Sequence, residues 1–123
     1  MRDFRKLTVW QKAHALALEI HRTTEAITAV GEEKLIDQMR SAAISIAGSI
    51  ANGSTDPGGE YFARHLDTAV DAASELEILI SLAGDLKLIP EATCDARRKE
   101  TVELRAALWA FAKRPKNVRP ELN

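Results

Sequence analysis

At 123 residues, with 46% hydrophobic and 28% charged side chains, the chain is sized for one folded domain (1–123) with a real core, and its composition excludes disorder. The single Cys94 excludes an intrachain disulfide and a cysteine-built metal cluster; with no run near 18 apolar residues and no apolar leader in MRDFRKLTVWQK, a cytoplasmic, non-membrane protein is expected. The net charge of −1 hides an asymmetry: Arg2, Arg5, Lys6 and Lys12 against Asp3 give residues 1–12 a charge of +3, Lys113, Arg114, Lys116 and Arg119 against Glu121 give residues 113–123 another +3, and the body between carries −7.

Aromatics make up 5% of the chain, while Ala, Leu and Glu are abundant, so the leaning is helical. After a basic lead (1–7), Thr8 and Gln11 have the spacing of a capping box. Trp10, Ala13, Ala17, Ile20, Thr24 and Ile27 then recur at the period of one helix face, with Gly31 as the stop, predicting a helix over 8–29. A second helix, 33–52, opens on Glu32 and Glu33 and carries the seam Ile36, Met39, Ala43, Ile46, Ile50. In the loop NGSTDPGG, Asp56-Pro57 reads as the cap and first turn of a third helix, 57–87, with Phe62, Leu66, Ala69, Ala73, Leu76, Ile80 and Ala83 inward. Ile89-Pro90 ends it, and a fourth helix, 91–113, carries Leu104, Leu108 and Phe111 before the basic tail 114–123. Four helices on mostly short connections predict an all-α, antiparallel, up-down-up-down four-helix bundle.

One stretch needs a separate reason. In SAAISIAGSIANGS (41–54), ten of fourteen residues are Ala, Gly or Ser. At about 100° per residue, Asp37, Ser41, Ser45, Gly48 and Asn52 lie opposite the core seam, where a solvated helix usually shows Lys and Glu. Such a face admits close approach of another backbone. The third helix becomes apolar nearly all round from Leu76 to Ile89, with Ile78 and Leu82 on its outer side. Ser41, Ser45, Gly48, Asn52, Ile78 and Leu82 are therefore candidate subunit-interface residues, and a homo-oligomer is expected.

The segments DQMRSAAISIAGSIANG (37–53) and YFARHLDTAVDAASELE (61–77) resemble the four-helix-bundle proteins encoded in intervening sequences of 23S rRNA genes. Asp37, Gln38, Arg40, Ser45, Ile46, Ile50 and Gly53 match that family's second-helix pattern, Trp10-Gln11-Lys12-Ala13 its opening, and Glu75-Leu76-Glu77 its acidic pair. Ser41, Ser49 and Asn52 stand where the family has a second Arg, an Asn and a Glu. The resemblance implies a homo-oligomer, commonly a pentamer, without established enzymatic activity. It also implies kinship with accessory proteins of diversity-generating retroelement reverse transcriptases, which are associated with nucleic acid.

Chemistry has little support. His14 and His21 share one side of the first helix, with Glu25 a turn beyond, but bundle di-metal sites use Glu-x-x-His pairs. The residues three before His14, His21 and His65 are Gln11, Leu18 and Phe62, so the histidines read as seam-boundary packing. Cys94 has no neighbouring histidine and reads as a small core residue. The serines of the second helix lack a base at helical spacing, and NGSTDPGG lacks the Lys-Ser/Thr ending of a phosphate loop. No catalytic, cofactor-binding, metal-binding or small-molecule site is expected. Asp67, Asp71 and Glu75 form an acidic stripe, either solvated or met by a basic complement such as Arg40 or Arg64. Two readings remain. One is a binding module that engages RNA, single-stranded DNA or a nucleoprotein through Arg2, Arg5, Lys6, Lys12, Lys113, Arg114, Lys116 and Arg119 at one pole; the other is a structural or adaptor oligomer whose terminal charges serve solubility.

Overall fold

A 3₁₀ turn at Phe4–Lys6 leads into four helices: α1 (Thr8–Glu25), α2 (Glu33–Gly53), α3 (Glu60–Asp85) and α4 (Glu91–Lys113). The structure, a computed structural model, describes residues 3–55 and 59–113, and no strand occurs among them. Contacts run α1 to α2, α2 to α3, α3 to α4 and α4 back to α1, the last seam being the sparsest. The helices enclose a single buried apolar cluster in which Ile20, Met39, Ile46, Ile50, Phe62, Leu66, Leu76, Ile80 and Leu108 are wholly removed from solvent. Each such side chain contributes roughly 1.5–3 kcal/mol relative to exposure, so this cluster is the main source of stability.

The seams of α2, α3 and α4 fall where their periodicity places them. Ile36 is only half-buried, and Cys94 is buried as a small core residue. The α1 face is rotated. Val9 and Leu16 join Ala13, Ile20 and Thr24 in the core, whereas Trp10 and Ala17 remain half-buried. Trp10 is drawn outward by its own neighbours, with Phe4 edge-on at 5.0 Å and His14 stacked at 4.8 Å.

Several boundaries differ from expectation for local reasons. Leu7, not Thr8, holds the N-cap of α1, without a side-chain cap. Gln11 Nε2 instead donates to the Arg5 carbonyl at 2.9 Å, tying the 3₁₀ turn to the helix. α1 ends at Glu25, and Gly31, at φ +93°, serves the turn before α2 rather than the helix end. Gly59 is the N-cap of α3, which starts at Glu60; Asp56 and Pro57 lie outside the described residues. The end of α3 is a Schellman motif: Lys87 N–H donates to the Gly84 carbonyl and Leu88 N–H to the Ala83 carbonyl, both at 2.9 Å. Lys87 takes the left-handed position at φ 60°, where glycine is usual.

Two glycines set helix separation. A Cβ on Gly53 would stand 2.7 Å from both His65 Cβ and Phe62 Cδ1, and one on Gly84 would collide with Cys94 Sγ. Part of the small-residue run of α2 therefore serves the bundle itself: Ala42, Ala43, Ser49 and Gly53 are all buried.

Candidate functional site

The basic side chains differ in how free they are. Arg5 Nε lies 3.0 Å from Asp3 Oδ1, and the bond it donates, with that from the Arg5 backbone N–H, holds the Asp3 carboxyl below the usual carboxylate range. Lys6 and Lys12 are exposed. Lys12, however, borders a groove between α1 and α4 that has Leu16 and Leu104 in its lining and Glu19, Glu100 and Glu103 beside them. Its charge is set among carboxylates, which weakens its contribution to a positive pole. Lys113, in the last turn of α4, places Nζ 5.1 Å from the centre of the Trp109 ring. Arg2, Arg114, Lys116 and Arg119 lie outside the described residues.

The candidate interface residues border different grooves. Gly48 lies in a groove between α1 and α2 lined by Trp10, His14, Leu18, Ile44, Ala47 and Ala51 among others, and a Cβ added to it would meet nothing within 4 Å. Ser41 lies instead in a groove bordered by Lys34, Asp37, Gln38 and Glu75. Ser45 is half-buried and Asn52 exposed. Ile78 is 67% exposed and Leu82 45%, confirming that the second half of α3 presents apolar side chains outward. Periodicity alone did not single out Ile44, 64% exposed, or Leu18, 45% exposed, which flank Gly48. Their signal was available, since both are large apolar residues off their helices' buried stripes.

Polar ties between helices account for several residues that the sequence leaves ambiguous. Arg40, at the family Arg position, does not complement the acidic stripe. Its Nε donates to Thr24 Oγ1 at 2.8 Å and its Nη2 to the His21 carbonyl at 3.4 Å, placing a cation at the C-terminal end of α1. Glu77, half of the acidic pair, accepts from Arg105 of α4. Glu19 accepts from Arg97 of α4 and from Arg22; the Arg97 bond, then the Arg22 bond, hold its carboxyl below the ordinary range. Arg97 also places Nε 3.0 Å from Glu100. Asp67, Asp71 and Glu75 are exposed on α3.

The histidines are not seam packing in the manner expected. His14 and His21 are exposed, His14 stacked on Trp10 and His21 3.8 Å from Glu25. Only His65 is half-buried, edge-on to Tyr61 at 4.4 Å. Among the described residues, no three of His, Cys, Asp and Glu are grouped as ligands of a metal ion, and no helix is long and apolar enough to cross a membrane.

Comparison with known proteins adds the family. The profile of the 23S rRNA-intervening sequence proteins matches residues 5–110. A solved structure from Bacteroides thetaiotaomicron, described as a protein with unknown function from the S23 ribosomal protein family, superposes with a TM-score of 0.78 at 20% identity, over 87% of this chain and all of that one. At that identity the likeness establishes the shared fold. No curated protein matches the chain.

Proposed function

The chain belongs to the 23S rRNA-intervening sequence protein family, and on that premise we propose that it is a non-enzymatic, self-associating helical bundle that engages RNA or a nucleoprotein partner through one basic pole. The single observation that carries the self-association is the outward display of Ile44, Ile78, Leu82 and Leu18 on a chain whose core is already closed. Isolated exposed apolar residues are ordinary, but Leu18 and Ile44 line one groove, with the open Gly48 between them and their neighbours. The subunit count we propose is the pentamer that the resemblance implies.

The basic pole follows from the course of the chain, which we read as up-down-up-down. Glu19 of α1 pairs with Arg97 of α4, while Lys12 and Leu16 border the same groove as Leu104. Residues later in α4 thus meet residues earlier in α1, so the start of α1 and the end of α4 share an end. In sequence the lead, +3 over 1–12, runs into the start of α1, and the tail, +3 over 113–123, follows from the end of α4. Subunits arranged side by side with this end in common would sum their charge. A phosphate backbone held there would bind with little sequence preference and strong salt dependence, because each neutralised phosphate releases counterion. This nucleic-acid role is the one implied by kinship with retroelement accessory proteins, and we place the protein in the cytoplasm. The alternative, an adaptor with solubilising termini, is favoured by the acidic body and the carboxylates around Lys12.

Labelled RNA titrated at low salt against the full chain and a variant lacking residues 114–123 separates the two. The basic-pole reading expects binding that weakens steeply with salt and drops on truncation. No binding at roughly 50 mM salt supports the adaptor, and equal binding by the truncated chain counts against the basic-pole mechanism.

A further inference from the structure

The six aromatic residues of the chain are Phe4, Trp10, Tyr61, Phe62, Trp109 and Phe111, near the starts of α1 and α3 and the end of α4. Contacts and neighbouring positions link four of them. Phe4 and Trp10 border a groove with Ala51, near the end of α2, and Gly53, two residues on, abuts Phe62 at the start of α3. Phe62 meets Phe111 of α4 edge to face at 5.7 Å. Only Phe62 and Phe111 are core; Trp109, two residues before Phe111, is 56% exposed, and Tyr61, next to Phe62 in the chain, is exposed as well. A large ring left in water on α4, with a lysine ammonium 5.1 Å over its face, is not explained by packing. Lys113 and these exposed rings thus lie where α3 starts and α4 ends, the end after which the basic tail follows in sequence.

We infer that this end is a stacking surface for unpaired bases, so that the ligand of the basic pole is single-stranded nucleic acid, with Trp109 as the principal stacking ring and Lys113 as a phosphate contact. The inference rests on the nucleic-acid reading of the pole and narrows it. Phosphate contacts alone do not distinguish a duplex from a single strand, whereas bases in a duplex have their faces occupied by neighbouring bases. An aromatic face adds affinity for a strand whose bases are free, without selecting among them.

The test uses the full chain with Trp10→Phe as background, which leaves Trp109 as the single tryptophan reporter. Oligo-U and oligo-dT of about 15 nucleotides are titrated at low salt alongside a duplex of equal length. The inference expects Trp109 fluorescence to be quenched by both single strands, tighter binding of these than of the duplex, and a loss of about tenfold or more in single-strand affinity on Trp109→Ala, followed by anisotropy of labelled strands. Trp109→Phe should recover most of that loss, and duplex affinity should hardly change. Salt-dependent binding with no single-strand preference and no effect of Trp109→Ala overturns the stacking surface while leaving the basic pole intact. Absence of binding in every arm overturns both. A Trp109→Ala variant that binds like the parent but changes mass in solution assigns the ring to a subunit contact and overturns the inference.

Discussion

Three positions show how local surroundings decide what a side chain, or its absence, does. Gly48 and Gly53 both end up in α2, five residues apart, and by propensity each costs roughly 1 kcal/mol against alanine. A methyl at Gly53 has no room between Phe62 and His65, and His65 Cβ moves only with its backbone, whereas a methyl at Gly48 enters open space. Gly53→Ala should therefore destabilise the fold by roughly 1–3 kcal/mol, and Gly48→Ala should stabilise it by roughly 0.5–1 kcal/mol, read from urea midpoints at equal protein concentration. Equal effects would show that the α2–α3 approach is looser than these distances imply. Lys87 is the third case. It holds the left-handed corner of the motif that ends α3, with a side chain where none is preferred. Lys87→Gly removes that conflict and should raise stability by about 0.5–1 kcal/mol, less the entropy that glycine adds to the unfolded chain. None of these roles was legible beforehand, because a glycine reads alike in sequence whether it avoids a clash, supplies a turn or lies idle.

At the scale of elements, the helices and most inward faces were legible, since α2, α3 and α4 carry clean three-four spacing and Ile89-Pro90 marks the break between α3 and α4. The exception is α1. Its aromatic at position 10 competes between core and surface, and Phe4 and His14 win it for the surface. The interhelical ties were not legible, because pairs such as Glu19 with Arg97 join residues far apart in sequence. That pair spans the sparsest seam, α1 to α4, and has a testable consequence. Arg97 and Arg22 hold Glu19 below the ordinary glutamate range of about 4.3. A carboxyl depressed in the folded state contributes stability that is present above its unfolded value and lost as pH falls through the folded one. Glu19→Gln should therefore lower the urea midpoint at pH 7, and the gap from wild type should close as both proteins are taken below about pH 4. A gap that persists at acid pH would assign the effect to packing rather than charge.

At the scale of the whole molecule, what lay hidden was how outward residues combine. Small residues on α2 and apolar ones on α3 were visible as anomalies, yet which of them share a groove depends on how neighbouring helices pack, so Gly48 sits with Leu18 and Ile44 while Ser41 sits by Glu75. This regrouping sharpens the assembly prediction. If the α1–α2 groove receives another subunit, Gly48→Leu fills it. A Cβ there meets nothing in its own chain within 4 Å, so the fold should survive while overpacking weakens association by roughly 1–3 kcal/mol. If α3 supplies the partner surface, Ile78→Lys puts an ammonium at a position already 67% exposed and should likewise lower the mass in solution without lowering helicity. Sedimentation or light scattering across micromolar concentrations, with circular dichroism as the control for folding, reads both variants on one axis. A monomeric wild type rejects self-association at once. Response to Ile78→Lys but not to Gly48→Leu would leave the α3 face as the contact and the α1–α2 groove free for another partner. If both respond, the two surfaces either act as independent contacts or meet as the two sides of one. Mixing the variants distinguishes these: opposite sides of a single head-to-tail interface leave one unaltered pairing between a Gly48→Leu subunit and an Ile78→Lys subunit, so the mixture should regain hetero-dimers that neither variant forms alone.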